Sequence, residues 1–378
     1  MPLSTSSSDP ELRPVPALRW GHCIGLAVVL TAVGLLGWEA YWRAQRFEPA
    51  YRNGNGLWAT ARARVDEQRP GATVVLGSSR LLFDVHLATW REETGNPILQ
   101  LAMQGTNPRP FLTDLARRTG FSGLVIVGVT PAMFFTPVGP ELPAALRYER
   151  GETPSQWASQ RLSMLIEPLI AFYDFDAALF SVVRRQPFWP VRQGIFALPE
   201  VRKFSHTEAT RQTAMWTRLE DDAAYRDMIR STWLDFIHMP IELPPPDVLR
   251  AQFEQLLGEV AADVRAIRAR GGEVAFVRPP SSGPLLDAER AAFPRERTWD
   301  PLLQATGAAG VHFEDYADLQ GLDLPEWSHL RAGETPRFTR RLVQHLREAF
   351  ARSGSPRAEL GSSMSPASGQ TAAVERAP

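Results

Sequence analysis

The stretch Ala72-Thr-Val-Val-Leu-Gly-Ser-Ser-Arg80 decides the fold class of this chain. Its apolar and β-branched residues predict a short buried strand over 72–76, and the glycine and serines that follow predict a tight turn. Two similar strands follow at 98–102 and 123–129, with a helical segment before each. Strand, helix, strand, helix, strand with short links predicts an α/β fold with a parallel sheet and helices on both faces.

An insertion interrupts this pattern at Pro131 and extends to about residue 246. It is rich in Trp, Phe and Pro, and it contains helical stretches such as 157–179. We interpret it as a helical insertion that caps or lines a cleft. Three of its tryptophans, at positions 157, 189 and 216, are expected in the core rather than as platforms for sugars.

The sheet is predicted to resume after the insertion. Asp247 is expected to cap an amphipathic helix that leads into a fourth strand, 273–277, and a fifth strand is predicted at 310–313. Thr335 is expected to cap a final helix that ends near Phe350. Five parallel strands of this kind predict a flavodoxin-like three-layer fold with the strand order 2-1-3-4-5.

An apolar segment near the N-terminus predicts a transmembrane helix over Trp20–Trp42. Cys23–Trp38 contains no charged residue, and the flanking aromatic residues bring the segment close to the roughly 20 residues that a bilayer requires. A cleaved signal peptide is the second interpretation, because bulky residues follow the run where small residues would mark a cleavage site. The predicted regions are a polar tail (1–19), the transmembrane helix (20–42), a membrane-proximal linker and helix (43–70), the α/β domain (71–350) and a disordered tail (351–378).

Charges near the segment leave its orientation open. Arg13 and Arg19 precede it and Arg43, Arg46 and Arg52 follow it, which leans slightly against export. Long domains are translocated largely regardless of such charges, so the count decides little.

The composition excludes several classes of function. The net charge of −1 gives no reason to expect binding to nucleic acid, and 44% hydrophobic residues are enough for an ordinary core. Cys23 is the only cysteine, so an intramolecular disulfide or a cysteine-based metal site is not expected. No cofactor is predicted.

Three groups of polar residues follow predicted strands. They are Gly77-Ser78-Ser79 after the first strand, Gly105-Thr106-Asn107 after the second, and Glu326-Trp-Ser-His329 after the fifth. Ligands of open parallel sheets bind beyond the carboxyl ends of the strands, where these groups are expected to meet. A carboxylate three residues before a histidine can orient the imidazole toward a nucleophilic hydroxyl.

These motifs resemble the SGNH (GDSL-like) hydrolase superfamily. The similar segments are LGSSR at 76–80, the glycine at 105, and EWSHLRAGETPRFTRRL at 326–342. The resemblance is to membrane-anchored envelope branches, similar to the D-alanyl-lipoteichoic acid and alginate O-acetylation proteins. It implies Ser79 as nucleophile, His329 as base and Glu326 as the group that orients it.

The sequence departs from the family pattern in two places. Gly128-Val-Thr-Pro131 stands where the family has Gly-x-Asn-Asp, so Asn107 or Thr130 would have to replace the oxyanion asparagine. Glu326 replaces the usual aspartate. Arg80 and Arg278, at strand ends, either bind an anionic substrate or face solvent.

Two functions follow from the resemblance. The first is a serine esterase or O-acyltransferase that acts on cell-envelope polysaccharide, anchored in the inner membrane with its large domain periplasmic or extracellular. Its implied partners are the bilayer, a polysaccharide acceptor and an integral-membrane acyl-transfer protein. The alternative is a non-catalytic scaffold or glycan-binding subunit, which the missing asparagine favours.

Overall fold

The computed structural model describes residues 19–137, 139, 141–186, 199–239 and 244–355. The N-terminal tail (1–18) and most of the tail predicted to be disordered (356–378) lie outside them. The chain divides into two compact units, 1–47 and 48–378. In the first unit, helix α1 (Trp20–Ala44) has a mean hydropathy of 1.9 over its most apolar window, and none of its residues is buried. It is therefore long and apolar enough to cross a membrane, although a signal sequence would share both properties.

The second unit is built on a five-stranded parallel sheet. Its strands are β1 (Thr73–Leu76), β2 (Ile98–Gln100), β3 (Leu124–Gly128), β6 (Glu273–Arg278) and β7 (Ala309–His312). They lie in the order β2-β1-β3-β6-β7. This is the flavodoxin-like order that the sequence predicts.

Helices cover both faces of the sheet. Because side chains alternate along a strand, Val74 and Leu76 pack in one core while Val75 packs in the other. The first core contains residues of α2 (Asn55–Arg62), α5 (Arg109–Arg118), α12 (Pro246–Arg268) and α14 (Trp299–Thr306). The second contains residues of α3 (Ser79–Asp84), α4 (Leu87–Thr94) and α15 (Thr335–Arg352). Burial on both sides explains why β3 is apolar throughout and why apolar residues stand at successive positions in β1 and β6.

The insertion contains more than helices. Its helices are α6 (Pro131–Phe135), α7 (Ala144–Arg150), α8 (Pro154–Ile166), α9 (Leu179–Arg184), α10 (Thr217–Asp221) and α11 (Ala223–Ile237). It also forms an antiparallel hairpin that the sequence pattern does not predict, made of β4 (Ser205–Thr207) and β5 (Thr213–Met215). Helix α13 (Gly283–Ala292) follows β6. Short 3-10 helices lie at Ala171–Tyr173, Arg295–Arg297, Phe313–Asp315, Ala317–Leu319 and Ala332–Glu334.

Several local predictions were wrong. The predicted helix over 157–179 stops at Ile166, because Pro168 has no N–H to continue the ladder. Asp247 lies inside the first turn of α12 rather than at its cap, and Thr335 is the first residue of α15. Trp216 is buried as predicted, but Trp157 is half exposed. Position 189 lies outside the described residues.

Candidate active site

The Gly-Ser-Ser turn connects β1 to α3. Ser78 precedes α3 in extended conformation, and Ser79 is the first residue of that helix. Ser78 is buried, and its Oγ lies 2.6 Å from Oγ1 of Thr130. Ser79 is only partly buried. The two neighbouring hydroxyls therefore differ, because Ser78 is held by the end of β3 while Ser79 stands at the start of a helix.

The loop after β2 is fastened beside this turn. The N–H of Met103 donates to the carbonyl of Gly77 at 2.9 Å. Two residues further on, Gly105 is exposed and has a φ of +62°, a conformation that glycine adopts without strain. Asn107 accepts a hydrogen bond from the backbone N–H of Arg109 through Oδ1 at 2.9 Å, so this amide oxygen is occupied by the first residue of α5.

Gly128 lets the end of β3 approach the same turn. A Cβ at this position would lie 2.7 Å from Cγ of Leu81, a residue of α3. The glycine of the atypical Gly-Val-Thr-Pro segment is thus required by packing. Thr130 follows it, and its hydroxyl pairs with Ser78.

Glu326 and His329 form a buried pair. Oε1 of Glu326 lies 2.8 Å from Nδ1 of His329 and accepts the backbone N–H of His329 at 2.6 Å. Both side chains are at most 1% exposed. Nε2 of His329 is buried and has no hydrogen-bond partner among the described residues. The carboxylate therefore fixes one ring nitrogen and leaves the other available, which is the arrangement that a general base requires.

The turn that carries this pair is docked along α3. Arg80 donates through Nε to Oγ of Ser328 at 3.2 Å, and Leu330 donates through its N–H to Oδ1 of Asp84 at 3.1 Å. Between these contacts, the ring of His329 packs on Phe83 with centroids 4.4 Å apart. Three successive residues of the turn thus contact the helix that begins at Ser79. The structure contains no hydrogen bond between Ser79 and His329, since Nε2 is unpaired.

The insertion completes the surroundings of the histidine. Trp233 of α11 donates through Nε1 to Oε2 of Glu326, and one turn earlier Arg230 donates to the carbonyl of Pro325 at 2.9 Å. Phe204 lies 5.4 Å from the His329 ring, centroid to centroid. The sequence does not predict these contacts, because no short motif connects Phe204, Arg230 or Trp233 to a histidine about a hundred positions away.

Trp327 holds the turn in an uncommon conformation. Its φ is +72°, which is an outlier for a bulky residue and costs roughly 1–3 kcal/mol. Its carbonyl accepts the N–H of Ser282 at 2.9 Å, and the guanidinium of Arg230 lies 5.2 Å from its ring centroid. The strain lies between the two residues of the buried pair, and contacts from both sides maintain it.

Arg80 and Arg278 are buried, so the prediction that they face solvent is wrong, while binding of an anionic substrate stays a prediction. Both are buried and share the carboxylate of Glu289, with Arg80 Nη2 at 2.5 Å from Oε1 and Arg278 Nη2 at 2.6 Å from Oε2. Burial alone would raise the pKa of Glu289, but the two guanidiniums outweigh it and lower the pKa to about 2. Burial also lowers the pKa of Arg278 to about 10. The two arginines do not face solvent, and their strongest contacts are internal.

Asp84 is a second buried carboxyl group beneath the turn. It is fully buried, and burial raises its pKa well above the ordinary value. Oδ1 accepts the N–H of Leu330, whereas Oδ2 has no partner among the described residues. Asp84 therefore supports the turn through Oδ1, and its burial favours the neutral form of the carboxyl group.

The described part of the chain contains no group of three or more His, Cys, Asp or Glu side chains arranged to hold a metal ion.

Comparison with known proteins gives little. No family model matches the chain, and no curated protein matches it. Among solved structures, one described as "Crystal Structure of TesA" aligns with a TM-score of 0.31 and 12% identity, over 74% of this chain and 99% of that one. Similarity at this level carries no argument about function, so the site must be interpreted from its own geometry.

Proposed function

We propose that this chain is a membrane-anchored serine hydrolase or O-acyltransferase of the SGNH type that acts on ester bonds. Ser79 attacks the ester carbonyl, His329 accepts the serine proton through Nε2, and Glu326 holds the imidazole through Nδ1. The N–H groups of Ser79 and Gly105 face the oxyanion in this proposal. The observation that supports it best is the buried Glu326–His329 pair, with its unpaired Nε2, docked on the helix that Ser79 begins.

The roles proposed for the two serines differ in a testable way. Ser78 is engaged by Thr130, which leaves Ser79 as the nucleophile. A serine-directed fluorophosphonate probe should label the wild-type protein and the Ser78→Ala variant but not Ser79→Ala. Equal labelling of the wild-type protein and Ser79→Ala would contradict the role of Ser79 as the nucleophile.

The substrate and location are also proposals. We propose an acceptor polysaccharide of the cell envelope, an integral-membrane acyl-transfer partner, and a large domain on the periplasmic or extracellular side of the inner membrane. They rest on the resemblance of the motifs and on one apolar helix near the N-terminus. A C-terminal alkaline phosphatase fusion should be active in cells. An inactive fusion, together with a fluorescent cytoplasmic reporter fusion, would reverse the orientation.

A non-catalytic scaffold is the second candidate. The observations that favour it are the missing Asn block and the absence of a hydrogen bond between Ser79 and His329 among the described residues. Under this alternative the pair serves only to fold the turn. The same fluorophosphonate experiment separates the two functions, since a scaffold would show no labelling that depends on Ser79.

A further inference from the structure

The insertion has an exposed apolar surface, which we call the apolar segment, 157–180. It carries six aliphatic or aromatic side chains that are 58–69% exposed: Leu162, Leu165, Leu169, Phe175, Leu179 and Phe180. Helix α8, which begins it, has no buried residue. Exposed apolar side chains in such number mark a surface that contacts another apolar phase.

This segment has one counterpart in the chain. Among the described residues, every large hydrophobic side chain that is at least half exposed belongs either to α1 or to the apolar segment. The other large hydrophobic side chains among the described residues, such as Met228 and Val248, are at most 39% exposed. Elsewhere in its described residues, the α/β domain buries its large hydrophobic side chains normally, so the exposure of this segment is specific.

The chain that leaves α1 is fastened to this segment. Arg52 donates through its N–H to Oε2 of Glu167 at 3.1 Å and through Nε to the carbonyl of Tyr173 at 2.8 Å. Its guanidinium lies 4.3 Å from the centroid of the Tyr173 ring. Arg52 is eight residues beyond Ala44, the end of α1, and a fully extended chain of that length reaches no more than about 28 Å.

We propose that the apolar segment inserts into the interfacial region of the same bilayer that α1 crosses. The inference rests on α1 being a membrane span, which is part of the proposed function. The end of a span lies at the lipid interface, and the chain length limits Arg52, which contacts Glu167 and Tyr173, to roughly 28 Å from the end of α1. Trp157, with the guanidinium of Arg161 4.0 Å from its ring centroid, belongs to the residue types that favour the interface. The consequence is that the α/β domain is held at the membrane by two contacts.

Site-directed fluorescence in lipid vesicles tests this contact. Cys23 is the only cysteine, so a Cys23→Ala background of the full chain accepts single cysteines at chosen positions. An environment-sensitive fluorophore is attached at Leu165→Cys or Phe180→Cys in the apolar segment. Val248→Cys, on α12, is the exposed control, and Leu30→Cys reports on α1. Circular dichroism confirms that each labelled protein is folded, and the vesicles are phosphatidylcholine with nitroxide-labelled lipids.

The expected result is a shift to shorter emission wavelength at positions 165 and 180, with quenching that is stronger from shallow than from deep nitroxides. An interfacial segment lies roughly 5–10 Å into the headgroup boundary, which gives this order. Position 248 should remain water-like and unquenched. Emission at 165 and 180 that resembles that of the fluorophore in water, with a quenched label at 30, would overturn the inference. It would still support α1 as a membrane span.

Two other outcomes are distinct. Labels at 165 and 180 that shift but are not quenched would show that protein covers the segment, which also overturns the inference. A label at position 30 that the lipids do not quench would show that α1 does not cross the membrane. This result would contradict the membrane anchor in the proposed function. Quenched labels at 165 and 180 in that case would still support the interfacial contact.

Discussion

The two halves of the candidate site are held in different ways. Glu326 and His329 are buried and contacted by residues from α3 and from α11, more than 90 positions away along the chain. Ser79 is partly exposed, and Gly105 is exposed in a loop. The base half is therefore built by tertiary packing, while the nucleophile half is built by a strand, a turn and a helix that are adjacent in sequence. If the proposed mechanism holds, a base that is fixed by tertiary packing serves a nucleophile whose own position is set locally.

The strongest test of this comparison removes one member of each half. Ser79→Ala and His329→Ala should each lower turnover of a simple acetyl ester by at least ~10³-fold, because residues that act as a unit fail together. The double variant should be little worse than either single one. Glu326→Gln should retain more activity than His329→Ala, since an orienting group costs less to lose than the base. Ser78→Ala is the matched control and should stay close to wild type. Independent, additive losses would show that the two halves do not cooperate.

The same division explains how much the sequence could predict. The sheet and its order followed from apolar runs such as 72–76, and the nucleophile half followed from the small residues after them. The position of Glu326 three residues before His329 was also readable. The roles of Trp233 and Asp84 were not, because contacts between distant segments leave no local pattern. The same holds for Arg80, whose partner Glu289 lies 209 residues away.

The buried charge cluster under the base half should have the largest effect on stability. Glu289→Gln leaves two buried guanidiniums without their carboxylate, which should cost about 3–5 kcal/mol of unfolding free energy. Denaturant unfolding in detergent at neutral pH measures it. Asp315→Asn breaks an exposed ion pair with Arg295 and is the control, with an expected cost under about 1 kcal/mol.

The pH dependence of the same variant sharpens the test. The pKa of Glu289 is lowered to about 2 in the folded protein, so its stabilisation is fully present above its unfolded value of roughly 4.3. That stabilisation is lost as the pH falls through about 2. The difference in the free energy of unfolding between wild type and Glu289→Gln should therefore become smaller as the pH falls below roughly 4.3. A difference that stays constant across this range would contradict the role given to the carboxylate.

A smaller effect is expected where the insertion contacts the base half. Trp233→Phe keeps the ring but removes the N–H that donates to Oε2 of Glu326. Hydrogen bonds to charged groups contribute about 1.5–3 kcal/mol, so a fall of roughly tenfold in kcat, with KM unchanged, is expected if the contact positions the carboxylate. Trp157→Phe, on the exposed part of the insertion, should have no effect on turnover. An unchanged kcat in Trp233→Phe would show that the insertion merely covers the histidine.

The smallest expected change in the free energy of unfolding is that of Asp84→Asn, and whether it is a gain or a loss is informative. Because its folded pKa is raised by burial, the folded state keeps a proton that the unfolded state releases, so wild-type stability falls as the pH rises above the unfolded value of about 3.9. Asp84→Asn keeps an acceptor for the N–H of Leu330 and has no charge to neutralise. The variant should therefore be more stable than wild type at pH 7, by on the order of 1 kcal/mol, and the gain should vanish below about pH 4. Unfolding curves of both proteins at pH 4 and pH 7 measure it. A loss of stability at pH 7 would mean that Asp84 is ionised and held by Arg80, and that the base half rests on a charge rather than on a neutral hydrogen bond.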